Sequence, residues 1–392
     1  MPVSHRNIVA AAAGIVAVGA IVAGAVTASR PGAQPAADVR ADLVTGTSSA
    51  VPGTYLARLR SVRTIASTVP SDGDVNPYGI VVLRHSAGRL HAGNVLVSNF
   101  NDKANLQGTG STIVQITPSG HQTLFARVTK AMLPGSCPGG IGLSTALAVL
   151  PGGWVVVGSA PSANGQAATA KAGCLIILDS QGRVRQTMAG HAINGPWDAT
   201  AVSHGTLTYL FVTNAFNGTA AGKDKVVRKG TVVRITLRES GSRTPRPLGV
   251  NTIATGLPEQ ASASAFVLGP TGVGLGPGDI LYVADTATST ITAIRDAEFR
   301  HGGSGPGSLV TSGGALSQPL GLAVAPGGDI LTVNGGNGKI VETTPGGRQA
   351  ATEYLDQSGS PAGAGALFGL SIAPSGLVYY VDDAANTLRL LH

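Results

Sequence analysis

The chain has 392 residues, a formal net charge of +7 and only 12% charged residues. Its 56 glycines and 23 prolines, combined with 43% apolar residues, exclude an intrinsically disordered chain. This composition is typical of many tight turns around buried strands.

An uncharged apolar run from Ile8 to Thr27 lies near the amino terminus. The run is long enough to span a bilayer, yet it ends in small residues, Val26-Thr27-Ala28, at the spacing of a signal-peptidase site. Two alternatives stay open for residues 1–28: a signal peptide cleaved after Ala28, or an uncleaved N-terminal membrane anchor. Both predict that the rest of the chain is exported, whether secreted, periplasmic or anchored at the cell surface. Membrane contact is expected only through residues 8–27, and only if they are not cleaved.

Residues 29–53 are rich in Ala, Pro, Gly, Ser and Thr, which is the composition of a flexible linker. Residues 54–392 form the remaining domain, and one unit recurs along it. Its clearest copy is 318–348, in which short apolar runs alternate with Pro- and Gly-rich turns. Such runs are strands joined by hairpins, and four strands in about 50 residues make one propeller blade.

Six copies of this unit align on the position of Pro319. They begin at residues 77, 144, 196, 263, 319 and 367. The sequence therefore predicts an all-β fold, a six-bladed β-propeller of four-stranded blades. The last copy ends after its third strand, whereas the run 59–69 precedes the first copy without a partner of its own. We predict that this N-terminal strand pairs with the final blade and closes the ring, which would leave no long bare sheet edge.

Three of the copies resemble NHL repeats, with a Pro-x-Gly strand, a tight turn and a second strand that ends in Asp or Asn. They are QPLGLAVAPGGDILTVNGG (318–336), GDILYVADTATSTI (278–291) and GLSIAPSGLVYYVDDAANTL (369–388). More distantly, the chain is similar to the gluconolactonase and strictosidine-synthase-like six-bladed propellers. The resemblance implies the scaffold and leaves the activity open, because these families share a fold and differ in function.

Cys137 and Cys174 are the two cysteines of the chain. In an exported protein an even pair favours a disulfide, here between the 131–142 loop and the third strand of the second blade. The alternative is two unpaired thiols. A metal site built on these two residues is not expected, because no His or Cys lies close in sequence to complete it.

Basic residues are concentrated between positions 223 and 246, where only Asp224 and Glu239 are acidic. A charged run is usually a solvated surface, but this one also suits an anionic partner such as a cell-wall polymer or a lipid headgroup. Nucleic acid is not expected, because the protein is predicted to be exported and no aromatic residues interleave with the charges. The basic residues are Lys223, Lys225, Arg228, Lys229, Arg234, Arg238, Arg243 and Arg246.

Any chemistry is expected where the innermost strands enter the central channel. In the third copy Asp198 stands where the first, fifth and sixth copies have a glycine. A carboxylate there is costly to bury unless it is paired, which makes Asp198 the first candidate for a catalytic residue. His191 and Glu259 are further catalytic candidates, and Trp197 and Tyr78 are candidates for binding. The structural alternative is that Asp198 accepts hydrogen bonds from backbone N–H groups and holds the channel together.

The resemblance to lactonase-type propellers implies one divalent cation, Ca²⁺ or Zn²⁺, held in the channel by Glu, Asn and Asp oxygens. The match is poor, since Asn76-Pro77 stands where that family has Glu-Gly-Pro. A substitute ligand set would comprise Asn76, Asn194, Asp198 and Glu259. The Asn and Asp residues that end the second strands are instead predicted to bond their own turns. Those residues are Asn99, Asn214, Asp285, Asn334 and Asp382.

Two functions fit these observations. The first is an exported binding or interaction scaffold that needs no cofactor and holds a protein, an anionic cell-envelope polymer or a small molecule. The second is a metal-dependent, lactonase-like hydrolase or lyase with its site at the channel. Small residues at the starts of several innermost strands favour the scaffold.

Overall fold

The computed structural model describes residues 53–190 and 192–392, which are almost entirely strands and turns. The predicted signal peptide or anchor, most of the predicted linker, and His191 lie outside the described residues. Within the described residues, no helix combines the length and the apolar character needed to cross a membrane. The longest helical segment there, α1, is the single turn Thr219–Gly222.

The strands fall into six antiparallel sheets, which are the blades. The first strand of the chain, β1 (Val62–Ser67), precedes the first blade. Blade one contains β2 (Val75–Val82), β3 (Val95–Asn101), β4 (Thr112–Ile116) and β5 (Gln122–Arg127). Blade two contains β6 (Leu143–Val149), β7 (Val155–Ser159), β8 (Cys174–Leu178) and β9 (Val184–Met188). Blade three contains β10 (Pro196–His204), β11 (Leu207–Asn214), β12 (Val227–Ser240) and β13 (Arg243–Ser262), to which a short β14 (Phe266–Leu268) is added.

The second half of the ring repeats the pattern. Blade four contains β15 (Pro270–Gly276), β16 (Ile280–Asp285), β17 (Thr290–Ile294) and β18 (Ser308–Ser312). Blade five contains β19 (Pro319–Val324), β20 (Ile330–Asn334), β21 (Lys339–Thr343) and β22 (Gln349–Tyr354). Blade six contains β23 (Leu367–Ile372), β24 (Val378–Asp382) and β25 (Thr387–Leu391). The innermost strands β2, β6, β10, β15, β19 and β23 contact one another in a closed ring, so the predicted six-bladed propeller is confirmed.

Blade six receives its fourth strand from the other end of the sequence. Strand β1 pairs antiparallel with β25, in the register Val62 to Leu391. The backbone N–H groups of Tyr55 and Leu56, just before β1, donate to the Glu342 carboxylate at 2.9 and 2.8 Å. Leu56 is fully buried in the apolar core between blades five and six. This is the pairing that closure of the ring by an N-terminal strand requires.

A shift of pairing register interrupts every innermost strand near its start. Such bulges bend a strand and tolerate the proline that begins most of these copies, because proline donates no ladder hydrogen bond. In four of the six blades a glycine lies in the bulge, whereas blade two has Ala146 and blade three has Asp198. A Cβ on Gly321 would meet the carbonyl oxygen of Phe368 on the neighbouring innermost strand. The repeat therefore uses glycine here so that adjacent innermost strands can approach each other closely.

The apolar core is divided among the interfaces between blades. One cluster joins blades one and two, for example through Ile113 and Val157, and corresponding clusters occupy the other five interfaces. The disulfide Cys137–Cys174, with 5.2 Å between the Cα atoms, lies in the first of them and ties the loop before β6 to the start of β8.

The fourth copy begins later than the sequence suggests. The run 263–270 was expected to form the innermost strand of blade four, but Phe266–Leu268 is β14, which pairs with β13 of blade three. The innermost strand β15 starts at Pro270. The apolar run does form a strand, and the Pro270-x-Gly272 phrase, rather than the run before it, marks the true start of the blade.

Candidate functional site

Six aromatic side chains fill the mouth of the channel, the end at which the innermost strands begin. Tyr78 and Phe368 pack with their ring centroids 4.4 Å apart. Trp197 is fully buried at the centre of the group, 5.5 Å from Phe100 and stacked on Phe266 at 6.1 Å. We call the group the aromatic plug; its members are Tyr78, Phe100, Trp197, Phe216, Phe266 and Phe368.

The plug depends on a hairpin that crosses the mouth from blade three. Phe266 lies just after the hairpin turn and has a φ of 63°, a left-handed conformation that is strained for an aromatic residue. At the turn, the carbonyl oxygen of Ser264 accepts a hydrogen bond of 3.0 Å from Gln107 Nε2 in a loop of blade one. The hairpin is thus held at its base by blade three and at its turn by blade one. Burial of the Phe266 ring offsets the backbone strain.

Beneath the plug the channel narrows to a cavity of about 20 Å³. Tyr78, Trp197 and Asp198 line it together with Thr145 and Leu320. A volume of this size holds no more than a single water-sized group. The two aromatic binding candidates therefore border a space that is too small for a metabolite.

Asp198 bridges two blades at the base of this cavity. Its Oδ1 accepts the N–H of Ala199 at 2.8 Å, and its Oδ2 accepts the N–H of Val273 on β15 at 3.2 Å. Its own N–H donates to Thr213 Oγ1 at 3.0 Å. Where other blades use a glycine to let the next strand approach, blade three spans the gap with a carboxyl group. These are the contacts expected from the structural alternative for Asp198.

Burial raises the pKa of Asp198 to about 8, and the hydrogen bonds from Ala199 and Val273 offset only part of that effect. Protein surrounds the Asp198 side chain, but the side chain is only half-buried, because part of its surface faces the two cavities that it lines. At neutral pH most molecules therefore carry this carboxyl in its uncharged form.

The other predicted metal ligands differ in how far their side chains are already hydrogen-bonded. The backbone N–H of Asn76 donates to Asn386 Oδ1 at 2.8 Å, whereas its own buried Oδ1 has no hydrogen-bond partner within the described residues. Glu259 does not lie in a loop that leads into blade four, as expected, but near the end of β13, where it is fully buried. Its Oε2 accepts the N–H of Asn217 at 3.3 Å, and burial raises its pKa to about 7.

Asn194 belongs to the same network as Glu259, since its Nδ2 donates to Asn217 Oδ1 at 3.3 Å and to the carbonyl of Phe216 at 3.0 Å. The structure thus joins two of the four predicted ligands and leaves Asn76 and Asp198 elsewhere. Across residues 53–190 and 192–392, no three His, Cys, Asp or Glu side chains gather closely enough to hold a metal ion. The residues present do not fit the cation of the lactonase-type propellers.

The opposite end of the channel is open. A cavity of about 510 Å³ extends from Asp198 to the ends of the innermost strands. We call it the exit-face cavity. The sequence did not predict this cavity, because only the loops that lead into the innermost strands were expected to carry a site. The one hint in the sequence was the Arg84-His85 pair shortly after the first innermost strand, since both residues line the cavity.

The basic run does not form one patch. Arg234 is buried, and its guanidinium donates to the carbonyl of Glu298. The exposed residues separate along β12 into two groups about 35 Å apart, at 3.3 Å per residue. The mouth-side basic cluster comprises Lys223, Lys225, Arg228 and Lys229, and the tip basic cluster comprises Arg238, Arg243 and Arg246 at the β12–β13 turn.

Comparison with known proteins extends the fold assignment. No protein-family model and no curated protein sequence matches the chain. Solved structures do match. A gluconolactonase from Xanthomonas campestris superposes with a TM-score of 0.54 at 14% identity, covering 91% of this chain and 98% of its own.

Two further structures are similar to a comparable degree. Regucalcin from Agrobacterium tumefaciens, a calcium-binding protein, gives a TM-score of 0.51 at 11% identity, over 84% of this chain and 93% of its own. The GH93 α-L-arabinofuranosidase of Fusarium graminearum gives 0.51 at 10% identity, over 84% and 97%. At these identities the similarity shows the propeller fold alone.

Proposed function

We propose that this chain is an exported binding propeller rather than a hydrolase. The aromatic plug is the observation that supports this proposal. A catalytic site needs a concave opening that admits substrate beside reactive groups. At the channel mouth that space is occupied by packed rings, and the one carboxyl beneath them, Asp198, already accepts two backbone hydrogen bonds.

The partner proposed for its surface is an anionic cell-envelope polymer, bound through the mouth-side basic cluster. Lys223, Lys225, Arg228 and Lys229 are all exposed and lie within seven successive positions, with Asp224 as the only acid among them. Closely spaced cations attract a polyanion at long range, and the attraction weakens as salt screens it.

The polymer proposal can be tested with heparin as a generic polyanion. Replacing the four cluster residues by Gln should weaken retention of the full chain on heparin, so that it elutes at lower salt. The matched control replaces Arg238, Arg243 and Arg246 at the tip basic cluster. Equal losses from the two variants would show that net charge, rather than the mouth-side basic cluster, governs binding.

A metal-dependent hydrolase of the lactonase kind is the second candidate. Two observations favour it: the similar structures include a gluconolactonase, and Asp198 carries a carboxyl that is mostly protonated at neutral pH and therefore able to donate a proton. From the mouth, this function would require the plug to move aside, whereas from the exit face the open cavity already reaches Asp198. By either route, the ligand set would have to be completed by residues other than those predicted.

Metal content decides between the two candidates. We expect elemental analysis of the purified chain to find no stoichiometric divalent cation, and its melting temperature to be unchanged by a chelator. A stoichiometric cation whose removal lowers the melting temperature would contradict the binding proposal. Lactone hydrolysis should then be assayed, with Asp198→Asn as the first variant.

A further inference from the structure

The exit-face cavity is a deep, narrow space in the axis of the ring. It extends along the innermost strands from Asp198 to about Ser203, a depth of about 17 Å at 3.3 Å per residue. Its volume of about 510 Å³ lies within the range of small-molecule sites. The aromatic plug closes the far end of the channel, so a ligand would enter from one side only.

The side chains of its walls are mostly aliphatic. Leu147, Val273, Leu275, Leu322 and Leu370 come from four different blades, and alanines fill the positions between them. Two of the three hydroxyl groups in the wall have partners: Ser203 Oγ lies 2.7 Å from Thr208 Oγ1, and Ser371 Oγ accepts the N–H of Val82 at 3.2 Å. The third hydroxyl belongs to Thr200. Such a lining offers aliphatic side chains to an apolar body and, on the free strand edges, an equally large surface of polar groups.

The charges are placed at opposite ends of the cavity. Arg84 and His85 are exposed at its rim, and within the described residues neither makes an ion pair or a side-chain hydrogen bond. Asp198 is the one carboxyl in the lining. It lies at the floor, where burial raises its pKa to about 8, so it adds little negative charge at neutral pH. The rim is thus cationic, and no acid side chain in the lining opposes it.

We propose that the exit-face cavity binds a small amphiphilic acid, whose extended apolar body lies in the channel and whose acidic group pairs with Arg84 and His85 at the rim. The aliphatic side chains of the lining match the body, and the unpaired Arg84 guanidinium matches the head. This site is separate from the mouth-side basic cluster and from any metal chemistry, so it does not depend on the function proposed above.

Calorimetric titration of the full chain with dodecanoate tests the proposal, with dodecanol as a matched ligand that has the same chain and no charge. We expect one dodecanoate per protein, bound more tightly than dodecanol. Arg84→Gln should weaken dodecanoate binding about tenfold, the loss expected for one charge-assisted hydrogen bond, and leave dodecanol binding unchanged. The control Arg348→Gln removes an exposed arginine outside the cavity and should change neither.

Variants that fill the cavity provide a second test of the proposed site. Ala323→Phe enlarges a side chain that borders the cavity and also packs against the core between blades five and six, and should abolish binding of both ligands. Ala201→Phe does the same from blade three if the first variant has a lowered melting temperature. Binding that persists in folded filled variants would place the ligand elsewhere, including on the apolar N-terminal segment. Equal affinity for dodecanoate and dodecanol would overturn recognition of the acid, and no saturable binding of either would overturn the site.

Discussion

The two ends of the central channel are built from the same six strands and are filled in opposite ways. At the mouth, the residue after each repeat proline is large in blades one and three, Tyr78 and Trp197, and their rings meet across the axis. At the exit face, alanine and serine alternate with aliphatic residues and the axis stays open. The difference shows that side-chain volume at one position of the repeat decides which face of a propeller can receive a ligand.

Removing the central ring of the plug should have the largest effect. Trp197 is fully buried among five other aromatic residues, so Trp197→Ala should lower the free energy of unfolding by about 3–5 kcal/mol. Urea denaturation measures the loss. The control is Leu309→Ala, at a leucine that is 63% exposed, where we expect a change within about 0.5 kcal/mol. A loss below about 1 kcal/mol at Trp197 would mean that the plug is loosely packed.

One innermost strand allows the two ends to be compared directly. Gly321→Ala would push a methyl group onto the backbone of β23 at the mouth end, and should cost about 1–3 kcal/mol of unfolding free energy. Ala323→Phe, two residues further along β19, adds far more volume at a half-buried position that borders both the open exit-face cavity and the core between blades five and six. It should cost less than Gly321→Ala, because the cavity can accept the ring. If the bulky substitution were the more destabilising, the exit face would be closed in solution.

The carboxyl between the two ends predicts a pH dependence. The folded pKa of Asp198 is raised from 3.8 to about 8. Its contribution to stability is therefore fully present below about pH 4 and is lost as the pH rises through about 8. Asp198→Asn removes this titration, so between pH 5 and 8 the variant should lose about 1–2 kcal/mol less than the parent. The upper bound of about 4 kcal/mol, from about 1.4 kcal/mol per pKa unit, is reduced because solvent in the cavities screens the exposed part of the carboxyl.

Melting curves across this pH range measure the difference between the two proteins. The comparison with the parent is needed because burial also raises the pKa values of Glu259 and Asp383, both to about 7. Ionisation of these two groups lowers the stability of parent and variant alike as the pH rises, so it cancels in the comparison. Parallel pH profiles for parent and variant would show that Asp198 stays ionised in the folded state.

The smallest effect is expected at the exit rim. Arg84 is exposed and unpaired within the described residues, so Arg84→Gln should change the free energy of unfolding by less than about 0.5 kcal/mol. Thermal melts at low salt are the measurement. A clear loss of stability would give Arg84 a structural role and weaken its assignment to ligand recognition.

The fold was predictable because the repeat phrase fixes where each innermost strand begins. The Pro-x-Gly start and the turns between strands are local signals, and they recur often enough to count the blades. The fourth copy shows the limit of this reasoning: the 263–270 run has the apolar content of an innermost strand, yet it pairs with β13 as part of a hairpin. Local pattern does not reveal which partner a strand will choose.

The Asn and Asp residues that end the second strands show the same limit. Asp285 and Asp382 accept N–H groups of their own turns, from Thr288 at 3.0 Å and Ala385 at 3.1 Å, as predicted. Asn334 also bonds its own turn, but its Nδ2 reaches back to the carbonyl of Ala315 at 2.8 Å as well. For Asn99 and Asn214 the prediction is wrong: Asn99 Nδ2 donates to the carbonyl of Thr68 and to Thr112 Oγ1, and Asn214 Oδ1 accepts the N–H of Asn194. The position in the repeat identified a structural role, and the choice of partner depended on loops distant in sequence.

The candidate site was much less predictable than the fold. Asp198 was identifiable because it breaks the glycine pattern, but its bond to Val273 depends on how closely two blades approach. The exit-face cavity gives no motif at all, since its walls are ordinary strand residues. The basic run appeared continuous in sequence. The order of charged residues reveals neither the length of β12, which separates the two exposed clusters, nor the burial of Arg234.

The chain has two tryptophans, and they mark the two ends of the channel. Trp197 is sealed within the plug, whereas Trp154 follows Gly153, which borders the exit-face cavity. Each is buried, so both should emit at short wavelength in the folded protein. Replacing one or the other by Phe would leave a single emitter at a known end. Fluorescence could then report separately on events at the mouth and at the exit face, without an added dye.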